Sequence, residues 1–294
     1  MTRYSISQPV TQVEAPRLVS GKGRFTDDIT LPQMAHGVFL RSPHAHADIV
    51  SIDTSAASAM PGVIAILTGA DYEADGLGVV RGVSPLKRRD GSPMYRPPRP
   101  ALISDRVRHV GQGVALVIAE TINQGKDATE AIEVDYSPLP AHFSTAEANQ
   151  GGVPQLYDDC LNNEPVHVNH GDADAVDAAL AAAPHVLRET FVVNRVAGCT
   201  MEPRSVVGEY DEGRDHYTIH ACHQRPYIWR QMMCDHVFHI PENKMTIIAG
   251  DVGGSYGMKG GLYPEVPLTA WAAKKIGRPV KWTCERSEAF LSDH

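Results

Sequence analysis

Cysteine is scarce in this sequence of 294 residues: Cys160, Cys199, Cys222, Cys234 and Cys284 make an odd set with no C-x-x-C pair. Neither a zinc ribbon nor a cysteine-ligated iron-sulfur cluster is therefore encoded, and unpaired thiols fit a reducing, cytoplasmic compartment. Long apolar runs are missing too. Nowhere do eighteen apolar residues follow one another, and the start MTRYSISQPV has no apolar core followed by a small-residue cleavage site, so neither a membrane span nor a secretion signal is expected. Positive charge is short, with 27 Lys and Arg against 35 Asp and Glu and a net charge of -8. That balance argues against nucleic acid as the main partner, because phosphate binding draws on clustered cations. The one basic cluster, Lys87, Arg88, Arg89, Arg96 and Arg99, lies in a stretch with five prolines (Arg81 to Pro100) and reads as a solvated loop outside the packed core.

What is present, 43% hydrophobic and 21% charged residues, is enough for two packed cores. Residues 1–16 read as a polar arm. From Gly37, alternating apolar residues predict a strand, a short helix over Ser55 to Met60 and a strand Val63 to Leu67. A second strand-helix-strand unit follows from the run VALVIAE through a helix at Lys126 to Ile132 and the strand IEVDY, and the two units are expected to share a sheet. Pro138 and Pro140 close this region, and residues 141–170 read as a linker.

Beyond it, Asp172 or Asp174 can cap an Ala-rich helix that Pro184 stops. Strands are expected at His185 to Asn194, Ser205 to Tyr210 and Tyr217 to Cys222, then a helix opened by Pro226, a strand near Met245, a helix Glu265 to Ile276 and a strand Pro279 to Thr283. ERSEAFLSDH opens a further element, with Ser287 as its cap, and reads as the start of a continuation. The fold class is mixed α/β, with α+β mixed sheets.

Candidate sites collect around KMTIIAGDVGGSYGMKGG, where Gly253, Gly254 and Gly257 bracket Ser255 and Tyr256 and let the backbone approach a ligand closely. Its spacing meets neither nucleotide fingerprint, G-x-G-x-x-G or G-K-[ST], and a tight strand-to-helix turn with packing duties alone reads equally well. Gln224, with His220 and His223, sits at a strand end that favours ligand contact. His44-x-His46 and His236-x-x-His239 invite a metal, although no third ligand stands at a convincing offset. Glu202 reads either as a buried acid with a raised pKa or as a partner of Arg204 or of a backbone turn.

In order along the chain, RLVSGKGRFTDDITLP, VRHVGQGVALVIAE, AIEVDYSPLP, TMEPRSVVGEYD, HQRPY, DVGGSYGMKGGLYPE and GRPVKWTCERSE resemble the large, molybdenum-cofactor subunit of the xanthine dehydrogenase, aldehyde oxidase and carbon monoxide dehydrogenase family. The resemblance implies an a/b hammerhead domain over residues 17–140 and the first, incomplete part of a molybdopterin-binding domain over residues 171–294. It implies a molybdenum-pterin cofactor in its cytosine dinucleotide form, with FAD and [2Fe-2S] on partner chains: a FAD-binding medium subunit and a 2Fe-2S small subunit. The remaining C-terminal part of the subunit is a further partner.

Gln224 matches the family glutamine near the apical oxo ligand, and Gly253, Gly254, Ser255, Tyr256 and Gly257 match the GGxFG segment against metal and pterin, with Tyr256 in the place of Phe. Gln224 and Tyr256 would lie near molybdenum without ligating it. The general-base glutamate is expected outside this chain, so no catalytic residue is assigned. Purine-oxidising members carry Glu directly after the motif lysine, whereas Gly260 follows Lys259 here, which speaks against xanthine. Glu265 is a possible substitute carboxylate. The implied activity is hydroxylation of an aldehyde or N-heteroaromatic carbon; the alternative is a non-catalytic assembly module that keeps the fold without the cofactor.

Overall fold

The apolar run Val114 to Ala119 lies inside the main sheet with every residue fully buried, because a strand covered on both faces needs no polar alternation. Burying Leu116, Val117 and Ile118 contributes about 1.5–3 kcal/mol each before chain entropy is counted. The computed structural model describes residues 12–82 and 84–293, so most of the arm expected over residues 1–16 lies outside the described residues.

The first half of the chain runs α1 (Ala15–Val19), β1 (Ala35–Arg41), β2 (Ala47–Asp53), α2 (Ser55–Ser58), β3 (Val63–Thr68), α3 (Gly69–Ala74), β4 (Arg106–Val107), β5 (Gly113–Ala119), α4 (Ile122–Glu130) and β6 (Glu133–Pro138). The second half runs α5 (Ala173–Ala182), β7 (Ser205–Asp211), β8 (His216–Ala221), α6 (Pro226–Met233), β9 (Met245–Ile248), α7 (Glu265–Ile276), β10 (Val280–Thr283) and α8 (Arg286–Ser292).

Seven strands form one mixed sheet in the order β3-β5-β1-β10-β7-β8-β9, and β4-β2-β6 form a second. The stretch expected as one strand from Gly37 bends instead between β1 and β2 and feeds both sheets. Pro43 has no N–H to donate there, and the Ser42 hydroxyl accepts the His44 amide at 3.0 Å, which closes the bend. The two early units share both sheets: β3, β5 and β1 lie together in the first, β2 and β6 in the second. In the main sheet β1 pairs in parallel with β10, Ala35 opposite Val280, so early and late parts of the chain are joined by backbone hydrogen bonding. Helix α7 lies across β7, where a Cβ on Gly208 would stand 2.9 Å from the Ala270 Cα. It occupies the expected span and ends at Gly277, whose φ of 64° is left-handed.

Other expectations need correction. His185 to Asn194 is not a strand; it runs exposed, and no residue from 184 to 198 makes a backbone hydrogen bond among the described residues. Helix α4 begins earlier than Lys126, because the Thr121 hydroxyl caps the Gln124 amide at 3.3 Å. Ser287 lies inside α8; the cap is Glu285, whose amide donates to Glu288 Oε2 at 3.2 Å. Asp172, rather than Asp174, caps α5. Between β6 and α5 the chain carries only a short turn at Leu161–Asn163, docked on the proline-rich excursion through Arg89 to Glu164 and the Tyr95 amide to the Pro165 carbonyl.

Candidate functional site

Strands β8 and β9 are parallel neighbours, His220 opposite Ile248, so the chain leaves both at the same end of the sheet. Cys222 to Gln224 follow the first exit, and the glycine loop follows the second. The two are tied: the Gln224 amide donates to the Lys259 carbonyl at 3.2 Å, and Trp229 Nε1 donates to the Gly260 carbonyl at 3.3 Å. A Cβ on Gly260 would lie 3.3 Å from Gln224 Oε1, so the carboxamide rests against the turn that ends the loop. Gln224 is exposed, and Tyr256 is 83% exposed in the left-handed region, φ 52°. Gly254 (φ 98°) and Gly257 (φ 95°) flank it in backbone that L side chains rarely adopt.

Hydrogen bonding divides the loop into a held edge and an open edge. The Gly253 amide donates to Glu202 Oε2 at 2.7 Å, the Lys259 amide to Ser255 Oγ at 3.1 Å, and the Met258 and Gly260 amides to the carbonyls of Ser255 and Gly257. Among the described residues, the amides of Gly254, Ser255, Tyr256 and Gly257 make no hydrogen bond. These four successive donors, beside one carboxamide and with little side-chain bulk, suit an electron-rich ligand. Upstream, Asp251 takes both guanidinium nitrogens of Arg17 and the Arg24 amide, which hold its carboxyl down at about 2.

Beneath the loop lies an ion pair that no local sequence pattern announces. Lys259, 1% exposed, places Nζ 2.9 Å from Glu202 Oε2 and 2.8 Å from the Glu202 carbonyl. Glu202 therefore partners Lys259, not Arg204, which is bound instead by Glu265 and Asp293. Glu265 is no free carboxylate either: it is buried between Arg41 and Arg204. His223, beside Gln224, is buried against Trp229 with neither ring nitrogen bonded, and burial pushes its pKa down to about 4. Residues Gly253 to Gly257 also spell G-x-S-x-G, the spacing of a hydrolase nucleophile elbow. Ser255 is buried and engaged by the Lys259 amide, however, and no histidine bonds to it among the described residues.

The histidine pairs lose their metal reading. His44 and His46 lie in the bend between β1 and β2; His44 packs on Tyr136 and His46 Nδ1 bonds the Pro140 carbonyl. Among the described residues no three His, Cys, Asp or Glu side chains are grouped to hold a metal ion.

A family profile described as molybdopterin cofactor-binding domain matches residues 156–294, and one described as aldehyde oxidase and xanthine dehydrogenase, a/b hammerhead domain, matches residues 20–140. The chain belongs to the aldehyde oxidase and xanthine dehydrogenase family. It is 34% identical over 291 residues to subunit gamma of the 6-hydroxypseudooxynicotine dehydrogenase complex of Paenarthrobacter nicotinovorans, covering 98% of this chain and 35% of that one. To the carbon monoxide dehydrogenase large chain of Afipia carboxidovorans it is 34% identical over 289 residues, covering 94% of this chain and 34% of that one. The crystal structure of quinoline 2-oxidoreductase from Pseudomonas putida 86 superposes with a TM-score of 0.86 at 32% identity, over 99% of this chain and 36% of that one. The chain thus spans about a third of the length of these relatives.

Proposed function

We propose that this chain supplies one wall of a molybdenum-pterin site in a hydroxylase large subunit that oxidises an aldehyde or N-heteroaromatic carbon. The observation that carries the reading is the row of unbonded amides from Gly254 to Gly257, next to Gln224 at the shared exit of β8 and β9. Bound there, the cofactor would supply two-electron oxidation with oxygen drawn from water. The chain's own residues position it. The amides and the Gln224 carboxamide would donate hydrogen bonds to its oxygen atoms, and the glycines would allow the approach. The exposed Tyr256 ring folds back toward Gly254 and offers a face to the bound group.

The same reading includes the cytosine dinucleotide form of the pterin, FAD and [2Fe-2S] on medium and small partner subunits, a cytoplasmic location, and a general-base glutamate from the rest of the subunit. Five free cysteines support the reducing compartment. The domain reading is hammerhead over residues 17–140, linker over 141–170 and the first part of the molybdopterin-binding domain over 171–294. The exposed arm beyond α5, apolar and without backbone partners, is where the remaining part of the subunit would add.

Metal and pterin analysis of the purified full-length complex tests the assignment: both are expected in near-stoichiometric amount, and absence of both overturns it. Gln224→Ala then separates enzyme from assembly module. The enzyme reading expects a large fall in turnover with the complex intact, the module reading no change.

A further inference from the structure

We infer that Glu202 and Lys259 form a buried positioning pair that sets the direction of the open amides; this rests on the proposed cofactor site and extends it. Glu202 reaches the loop three ways. Its Oε2 accepts the Gly253 amide, its own amide donates to the Gly253 carbonyl at 3.1 Å, and its Cβ packs so tightly that a Cβ on Gly253 would stand 2.4 Å away. Lys259 closes the circuit from the other end, since its Nζ binds Glu202 while its amide binds Ser255 Oγ. Both ends of the segment Gly253 to Lys259 are thereby anchored to one carboxylate. Within this seven-residue span and the residue after it, the amides of Gly253, Met258, Lys259 and Gly260 are all taken by acceptors within the protein. The four between, Gly254 to Gly257, have no protein acceptor among the described residues. A buried ion pair is a poor source of net stability, because desolvation offsets its attraction, but it fixes geometry firmly. The second carboxylate oxygen, Oε1, is buried without a partner, so holding Glu202 here carries a desolvation cost.

The test uses the full-length subunit in its complex. The double variant Glu202→Leu/Lys259→Met removes both charges together and releases the Gly253 amide. Glu202→Gln/Lys259→Met also removes both charges but keeps an acceptor for that amide. Thermal midpoint, molybdenum and pterin per polypeptide, and kcat against KM are measured for each. The Leu/Met variant is expected to keep a melting transition close to wild type and lose about 10- to 100-fold in cofactor loading. The Gln/Met variant is expected to restore part of that loading, because the Gly253 end is held again while the Lys259 end stays free.

Wild-type loading in the Leu/Met variant overturns the inference. So does a Gln/Met variant that folds yet fails to load, which also decides the matter should the Leu/Met chain not fold. If the wild-type complex itself holds neither molybdenum nor pterin, the cofactor site fails and not merely its positioning pair.

Discussion

Glu265 begins α7 fully buried, with Oε1 2.7 Å from Arg41 and Oε2 2.9 Å from Arg204. Burial opposes its ionisation, yet the charges of Arg204 and Arg41 outweigh burial and lower its pKa from 4.5 to about 2. Arg41 also holds Glu288, and Arg204 holds Asp293 while lying over Tyr263 and Trp282, so the group is a closed network. Between pH 4.5 and 2 the unfolded chain binds a proton here that the folded one does not. The contribution is therefore complete above pH 4.5 and disappears as pH falls to about 2. Its size is about 3 kcal/mol by linkage. Glu265→Gln leaves two buried guanidiniums short of a counter-charge and is expected to cost about 3–5 kcal/mol at pH 7. Urea midpoints from pH 7 to pH 2.5 check this: the gap between wild type and variant should close with acid, and a constant gap would rule Glu265 out as the titrating group. The place of Glu265 at a helix start was legible in the sequence. Its partners, 224 and 61 residues away, were not, because no local pattern encodes contacts across the fold.

Elements were legible where their stop signals are local. Helix α7 ends at Gly277, the β7–β8 hairpin turns through DEGRD, and Pro226 opens α6. The segment His185 to Asn194 has strand propensity but no partner among the described residues, and propensity without pairing does not make a sheet. In the site, Gln224 and the glycine loop stood out through strand ends and resemblance; which loop amides stay unbonded depends on Glu202 and Lys259, far apart in sequence and set by tertiary packing. Contact between elements yields its own prediction at Gly208, where an added Cβ would meet the Ala270 Cα and the Thr269 carbonyl, both at 2.9 Å. Gly208→Val forces α7 off β7 and is expected to cost about 1–3 kcal/mol. Because both obstacles are backbone atoms, Ala270→Gly should give no rescue. Recovery of the thermal midpoint in that double variant would show that the side chain, not the backbone, limits the approach.

The whole molecule is knit across its length: β1 pairs with β10, Arg278 binds Glu120, and Lys126 binds Glu285. Against this, the arm after α5 is loose. Leu187, Phe191, Val192, Val193 and Val196 are 82 to 92% exposed, and the backbone from 184 to 198 makes no backbone hydrogen bonds among the described residues. Water can satisfy those backbone groups, but a cluster of β-branched and aromatic side chains in extended chain is also a template for strand addition. On the proposed reading of this chain as part of a longer subunit, the partner expected for the arm is a sheet edge in the rest of that subunit. Phe191→Glu with Val193→Glu should leave the melting of residues 1–294 unchanged, because neither side chain packs on the core. The same substitutions should lower self-association of that chain in sedimentation velocity and prevent its co-purification with the rest of the subunit expressed separately. Co-purification at the wild-type level would mean that the arm is not the docking strand.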